Sequence, residues 1–178
     1  MRILGIDPGT NLFGYAIIDG INKPQLINSG TLNISKTINH YSKLSQILEF
    51  VIKTIEDFKP QVLSIESQFY AKNIQVMFKL GRIQGVCIAA AISNNLEVFE
   101  YSPREIKLST TGNGNASKQQ VAKMLNYILS INNSFDKFDE TDAIAIALTH
   151  YFKNKTVVNE NKYGSWSDYI NKNIHKIK

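Results

Sequence analysis

Asp7 in Ile3-Leu4-Gly5-Ile6-Asp7-Pro8-Gly9-Thr10, Glu66 after Val62-Leu63-Ser64-Ile65, and Asp139 with Asp142 opening an apolar stretch are acids that one point of a fold could collect. Like charges that close raise each other's energy unless a cation lies between them. Hard oxygen ligands suit Mg2+ or Mn2+, and paired ions of this kind hydrolyse phosphodiesters. On a helix, Asp139 and Asp142 would place their β-carbons about 5–6 Å apart on one face. That spacing suits shared metal ligation.

The elements that must position these acids follow from the pattern of apolar and turn-forming residues. Residues 2–7, 13–18 and 25–33 read as strands separated by Asp19-Gly20 and Asn22-Lys23-Pro24, an antiparallel meander. Leu44, Ile47, Leu48, Val51, Ile52 and Ile55 recur at helical spacing within 39–58, and Lys59-Pro60 ends the run. A buried strand at 61–66, a helix at 74–93 and a fifth strand at 96–101 follow. Beyond 103–109 and the polar loop Thr111-Gly112-Asn113-Gly114-Asn115 come helices at 117–129 and 139–152. The order βββαβαβαα predicts an α/β fold, a five-stranded mixed sheet flanked by helices. In the second helix Gly81, Gly85 and Ala89 recur every four residues. Each mid-helix glycine costs about 1 kcal/mol relative to alanine, so the ridge should meet another element, either the sheet or a second subunit.

The 178 residues, 43% hydrophobic and 10% aromatic, fit one globular domain. Cys87 lies in Val86-Cys87-Ile88-Ala89-Ala90 and reads as a buried structural thiol, so the chain is expected to be cytoplasmic. No secretory signal is apparent, and no uninterrupted apolar run approaches the roughly 20 residues of a membrane span. The formal charge of +5 is uneven: residues 151–178 carry a net +4, leaving the first 150 at +1. Within that body, Lys72, Lys79, Arg82, Arg104, Lys107, Lys118 and Lys123 face only Glu97, Glu100 and Glu105 across 69–123. Metals at an acidic point and cations along approaching strands are what cutting a nucleic-acid backbone needs. Charge alone favours the plainer reading, a solvated surface in a Lys- and Asn-rich proteome.

Each acid has an ordinary reading too. Asp7 with Pro8 and Gly9 suits a turn, and Asp139 with Asp142 suits a helix start, capping amides and complementing the dipole. Glu66 resists such a reading, because a strand so rich in Val, Leu and Ile seldom carries an unpartnered Glu. The neighbouring acids Asp136 and Glu140 are expected to face solvent.

The set resembles the RuvC-type Holliday-junction resolvases. The matching strings are Ile6-Asp7-Pro8-Gly9-Thr10 with Gly14-Tyr15-Ala16, Ile65-Glu66, Phe69-Tyr70-Ala71-Lys72-Asn73, Lys79-Leu80-Gly81 with Gly85-Val86, and Glu100-Tyr101-Ser102-Pro103. They continue through Lys107, Gly112-Asn113-Gly114-Asn115-Ala116-Ser117-Lys118 and Asp139-Glu140-Thr141-Asp142-Ala143-Ile144-Ala145-Ile146-Ala147, in family order over about residues 1–152.

The resemblance implies an RNase H-like nuclease domain over 1–152 and leaves 153–178 as a basic C-terminal tail with no matching motif. It implies a homodimer that nicks four-way DNA junctions symmetrically, leaving 5′-phosphate and 3′-hydroxyl ends, with a branch-migration helicase as a further partner. Asp7, Glu66, Asp139 and Asp142 take the family's catalytic and metal-binding positions, for two Mg2+ with Mn2+ able to substitute. Lys107 and Lys118 match DNA-binding lysines near the cut phosphate, and Phe69 matches an aromatic that stacks on an unpaired base at the crossover. Ser67 stands where relatives often carry a longer polar residue. His40, His150 and His175 receive no chemistry.

Three other readings compete. The Asp-x-Gly-Thr opening also occurs in sugar kinases and actin-like ATPases, but those need a second lobe and phosphate loop for which this chain lacks length and motif. The others are an RNase H-like nuclease acting on other branched or RNA-containing substrates and a non-catalytic junction binder.

Overall fold

The computed structural model describes residues 1–35, 37–67, 74–131, 135 and 137–160, with side chains through Asn154. Strands β1 (Ile3–Asp7), β2 (Leu12–Asp19), β3 (Gln25–Asn33), β4 (Val62–Glu66) and β5 (Glu97–Tyr101) form one sheet in the order β3-β2-β1-β4-β5. The first three pair antiparallel as a meander, whereas β1–β4 and β4–β5 are parallel. This is the mixed sheet expected from the sequence.

Among the described residues five helices cover it: α1 (His40–Phe58), α2 (Ile74–Ser93), α3 (Pro103–Thr111), α4 (Lys118–Leu129) and α5 (Phe138–Glu160). The alternation of side chains along a strand divides the core in two. Leu4, Ile6, Phe13, Ile17, Leu63 and Ile65 pack against Ile47, Val51 and Ile55 of α1 and Ile83, Cys87, Ala90 and Ala91 of α2. Ile3, Ala16, Ile18 and Val62 face the other way, onto Ala143, Ile144, Ala147 and Leu148 of α5 and onto α3 and α4.

Two elements depart from expectation by more than a residue. Residues 103–111 form α3, unassigned from the sequence although its start is written there: Ser102 and Glu105 make a capping box and Pro103 occupies the first turn. The last helix begins at Phe138 and runs to Glu160, eight residues beyond the predicted end at Phe152. Asp139 therefore lies inside the first turn and is not the N-cap.

The Gly81, Gly85 and Ala89 ridge does not pack on the sheet. All three are exposed, and a Cβ at Gly81 or Gly85 would meet nothing within 4 Å. Ile74, Val76, Phe78 and Ile92 of the same helix are also exposed. By length and composition alone α2 is apolar enough to cross a membrane, although Gln75, Lys79, Arg82 and Gln84 interrupt its apolar run. Its opposite face is nevertheless built into the core through Ile83, Cys87 and Ala91.

Candidate active site

Side-chain alternation decides where the first two acids point. Ile3 and Gly5 of β1 lie on the α5 face, so Asp7 does too; Val62 and Ser64 of β4 share that face, so Glu66 follows them. Parallel pairing matches Ile6 with Ile65, which leaves Asp7 and Glu66 side by side at the carboxyl ends of adjacent strands.

α5 reaches the same point because the strands beneath it are pared down. A Cβ at Gly14 would lie 2.0 Å from the carbonyl oxygen of Asp139, and one at Gly5 would lie 2.3 Å from that of Ala143. Gly14 is also the partner of Asp7 across β1 and β2. Ser64 adds a buried hydrogen bond, its Oγ donating to the carbonyl of Ile146 at 2.8 Å. The glycines thus let the helix lie directly on the sheet, with Asp139 and Asp142 in its first turns over Asp7 and Glu66.

The electrostatics record the convergence. Burial, followed by the charges of Glu66, Asp142 and Asp139, pushes Asp7 up to about 8 from an ordinary 3.8. Burial and Asp142 also raise Glu66, against the opposing pull of Lys118 and Lys107. Lys118 at the start of α4 donates to Asp142, Nζ to Oδ2 at 2.5 Å. Although partial burial works against its charge, that bond and the fields of Asp142, Asp7 and Asp139 hold Lys118 above its ordinary range.

A cleft of about 180 Å³ is lined by Glu66, Lys107, Lys118 and Asp142, with Pro103, Ile106, Val121 and Ala145 as its walls. Larger hollows near Tyr127 and near His150 contain none of the four acids. Among the described residues no group of three or more Asp, Glu, His or Cys side chains stands arranged to hold a metal ion. The donor set nonetheless fits a hard divalent cation: four carboxylates, mutual repulsion strong enough to favour a proton on Asp7, and a lysine ammonium drawn onto one of them.

Lys107 and Lys118 come from α3 and α4 and line the same cleft as Glu66 and Asp142. Phe69, the expected base-stacking residue, lies outside the described residues, as do Lys72 and Asp136. Glu140 does not face solvent: its Oε1 accepts from Ser29 Oγ at 2.6 Å, tying α5 to β3. Lys43 was not expected at the site. Its Nζ donates to the carbonyl of Thr10 at 3.0 Å and to Asn11 Oδ1 at 3.1 Å, fastening the turn that follows Asp7. Nothing in the local sequence of α1 marks that role. Gly5 and Gly14, by contrast, could have been found as the small residues that must oppose the small-residue helix Ala143, Ala145, Ala147.

Comparison with known proteins places this arrangement. The family model described as crossover junction endodeoxyribonuclease RuvC matches residues 3–150. The chain is 47% identical over 178 residues to a crossover junction endodeoxyribonuclease RuvC of Cytophaga hutchinsonii, covering 99% of this chain and 88% of that one. Thermus thermophilus RuvC superposes with a TM-score of 0.79 at 28% identity, over 88% of this chain and 96% of that one. The same protein in complex with a Holliday junction substrate superposes with a TM-score of 0.80 at 25% identity and the same coverage. With its RNase H-like sheet, the chain belongs to the RuvC family of crossover junction endodeoxyribonucleases.

Proposed function

We propose that this protein is a divalent-metal-dependent endodeoxyribonuclease that resolves four-way DNA junctions by paired symmetric nicks, giving 5′-phosphate and 3′-hydroxyl ends. One observation carries the reading: acids from β1, β4 and α5 crowd together until Asp7 is forced far above its usual range, beside lysines from α3 and α4. Crowding that costly within a core is explained by a ligand that reverses it.

Asp7, Glu66, Asp139 and Asp142 are the catalytic residues and would hold the metal, Mg2+ in our reading with Mn2+ able to substitute and two ions per site. Such ions, when bound, supply Lewis acidity, making water nucleophilic at neutral pH and screening charge on the leaving oxygen. Lys107 and Lys118 bind the phosphate that approaches the acids and steady the charge that develops on it. Phe69 stacks on a base at the opened crossover, a contact worth about 1–3 kcal/mol.

Paired nicks call for two sites, and the exposed apolar face of α2 supports a homodimer. Gly81 and Gly85 leave room for close approach, and Ile74, Phe78 and Ile92 supply the surface to bury. The protein is placed in the cytoplasm by this reading, with a branch-migration helicase as a further partner.

A synthetic four-way junction and a linear duplex of the same sequence, each incubated with and without Mg2+, test the reading. Junction-selective cutting that needs the metal is expected, with Asp7→Asn and Glu66→Gln binding the junction but leaving it intact. Equal cutting of the linear duplex would reassign the protein as a general nuclease. Binding without cutting would make it a junction-binding protein.

A further inference from the structure

We infer that Lys43, Lys79 and Arg82, gathered around the partly buried His40, form a second phosphate-binding surface, which takes a duplex arm of the junction on the side of the sheet opposite Lys107 and Lys118. The inference rests on the proposed function and deepens it by naming where the DNA lies.

His40 and Lys43 stand three residues apart in the first turn of α1, a turn that contains no acid. Lys79 and Arg82 stand three apart on α2, both exposed. Residues at that spacing share a helix face, so each helix contributes a pair. The helices pack along one another, and the pairs meet there: partial burial, then the charges of Arg82, Lys79 and Lys43, hold His40 below its ordinary range. Among the described residues neither Lys79 nor Arg82 forms a salt bridge. Cations gathered without a counterion repel one another, and a polyanion relieves that repulsion.

The position of the patch selects the partner. Lys43 is already bonded to Thr10 and Asn11 in the turn leaving Asp7, so the patch begins where the acidic centre ends. Lys107 and Lys118 belong to α3 and α4, on the α5 face of the sheet, whereas α1 and α2 cover the other face. The four acids at the strand ends therefore lie between two cationic surfaces on opposite faces. A single linear strand is served by one such surface. A branched substrate, whose arms diverge from the cut phosphate, uses both.

The test is junction binding in EDTA, measured by fluorescence anisotropy between 50 and 200 mM salt, for wild type and for Lys79→Ala/Arg82→Ala, with sedimentation of both. The double variant should bind about tenfold more weakly at 100 mM salt and flatten the slope of log affinity against log salt by about 2, one unit per lost phosphate contact. Its mass should not change, and Lys79→Arg/Arg82→Lys should restore the slope. An unchanged slope would overturn the inference. So would a fall in mass to the monomer, which would assign these residues to the contact between copies. Wild type that cuts junctions while the double variant keeps its slope sinks only the patch; wild type that neither prefers nor cuts junctions sinks the proposed function as well.

Discussion

Lys118 Nζ stands 2.5 Å from Asp142 Oδ2, so an acid of the last helix is neutralised by a cation of the helix before it. The cation that the four acids would bind competes for the same oxygen. The lysine holds the acidic cluster together when no other cation does, and bound metal would free it to meet a phosphate.

Removing the competitor should therefore strengthen metal binding even as it harms the enzyme. With Lys118 54% and Asp142 22% exposed, the pair is worth about 0.2–1 kcal/mol. Lys118→Met should tighten Mn2+ binding roughly 1.5- to 5-fold, read by titration calorimetry without DNA. Junction binding should weaken in the same variant. Metal binding that weakens with Lys118 removed would show that the lysine supports the site instead of occupying it.

Asp7 sets the pH behaviour of the metal-free protein. Its folded value is raised to about 8 from 3.8, so between those limits the folded state holds a proton that the unfolded state has released. Stability contributed by the neutral carboxyl is complete below 3.8 and is lost as pH rises toward 8. In EDTA at pH 8, Asp7→Asn should melt above wild type by about 3 °C or more, the shift expected for roughly 1 kcal/mol in a domain of this size. Divalent metal should raise the wild-type melting temperature and leave the variant nearly unmoved. Identical melting of the two proteins at pH 8 would show that Asp7 is not under electrostatic pressure.

The sheet was readable because it carries two signals that sequence reports well: apolar runs in β1 and β4, and turn chemistry within the β1, β2 and β3 meander. The acids were readable as a set because they fall at strand ends and at a helix start, where the polar residue interrupts an apolar pattern. α3 escaped because a nine-residue helix with Leu108 exposed offers little periodicity, and its capping box was the better signal. Glu140 was misplaced because its partner, Ser29, lies 111 residues away on β3. Lys43 escaped for the same reason, since a lysine at the start of a helix gives no hint that its ammonium will fasten a turn across the sheet. Long-range side-chain bonds leave no trace in local spacing, whereas glycines opposed to alanines do, once the pairing of strands and helix is known.

That opposition yields a sharper test than removing an acid. Gly14→Ala would drive a methyl group into the backbone carbonyl of Asp139, 2.0 Å from the ideal Cβ position, where no side-chain rotation gives relief. Overpacking of this kind costs about 1–3 kcal/mol, and it would lift the first turn of α5 from the sheet. Gly14→Ala should cut junctions at least about tenfold more slowly than wild type, since even small displacements of catalytic groups are costly. With metal present it should still fold, as circular dichroism would show. Full activity in this variant would mean that the acids do not depend on how closely α5 approaches β2.

The last relationship links α3 to α5 and, through α3, to Lys107. Glu105 Oε2 accepts from the Ser102 amide at 2.9 Å and from Ser102 Oγ at 2.8 Å, while Oε1 accepts from Lys153 Nζ at 2.7 Å. Lys153 first, then the Ser102 bonds, hold this carboxyl down at about 2 against an ordinary 4.5. The folded state thus keeps Glu105 ionised where the unfolded chain takes up a proton, so its contribution is complete above 4.5 and is lost as pH falls toward 2. Because Glu105 is 45% exposed, solvent screens most of that coupling, and a loss of about 0.5–1 kcal/mol at pH 7 is expected for Glu105→Gln. Urea unfolding from pH 7 to pH 3 should show the variant losing less stability than wild type on acidification, the two curves converging at the acid end. Curves that stay parallel would leave the cap without its charge contribution, and the position of Lys107 would then depend on the packing of α3 alone.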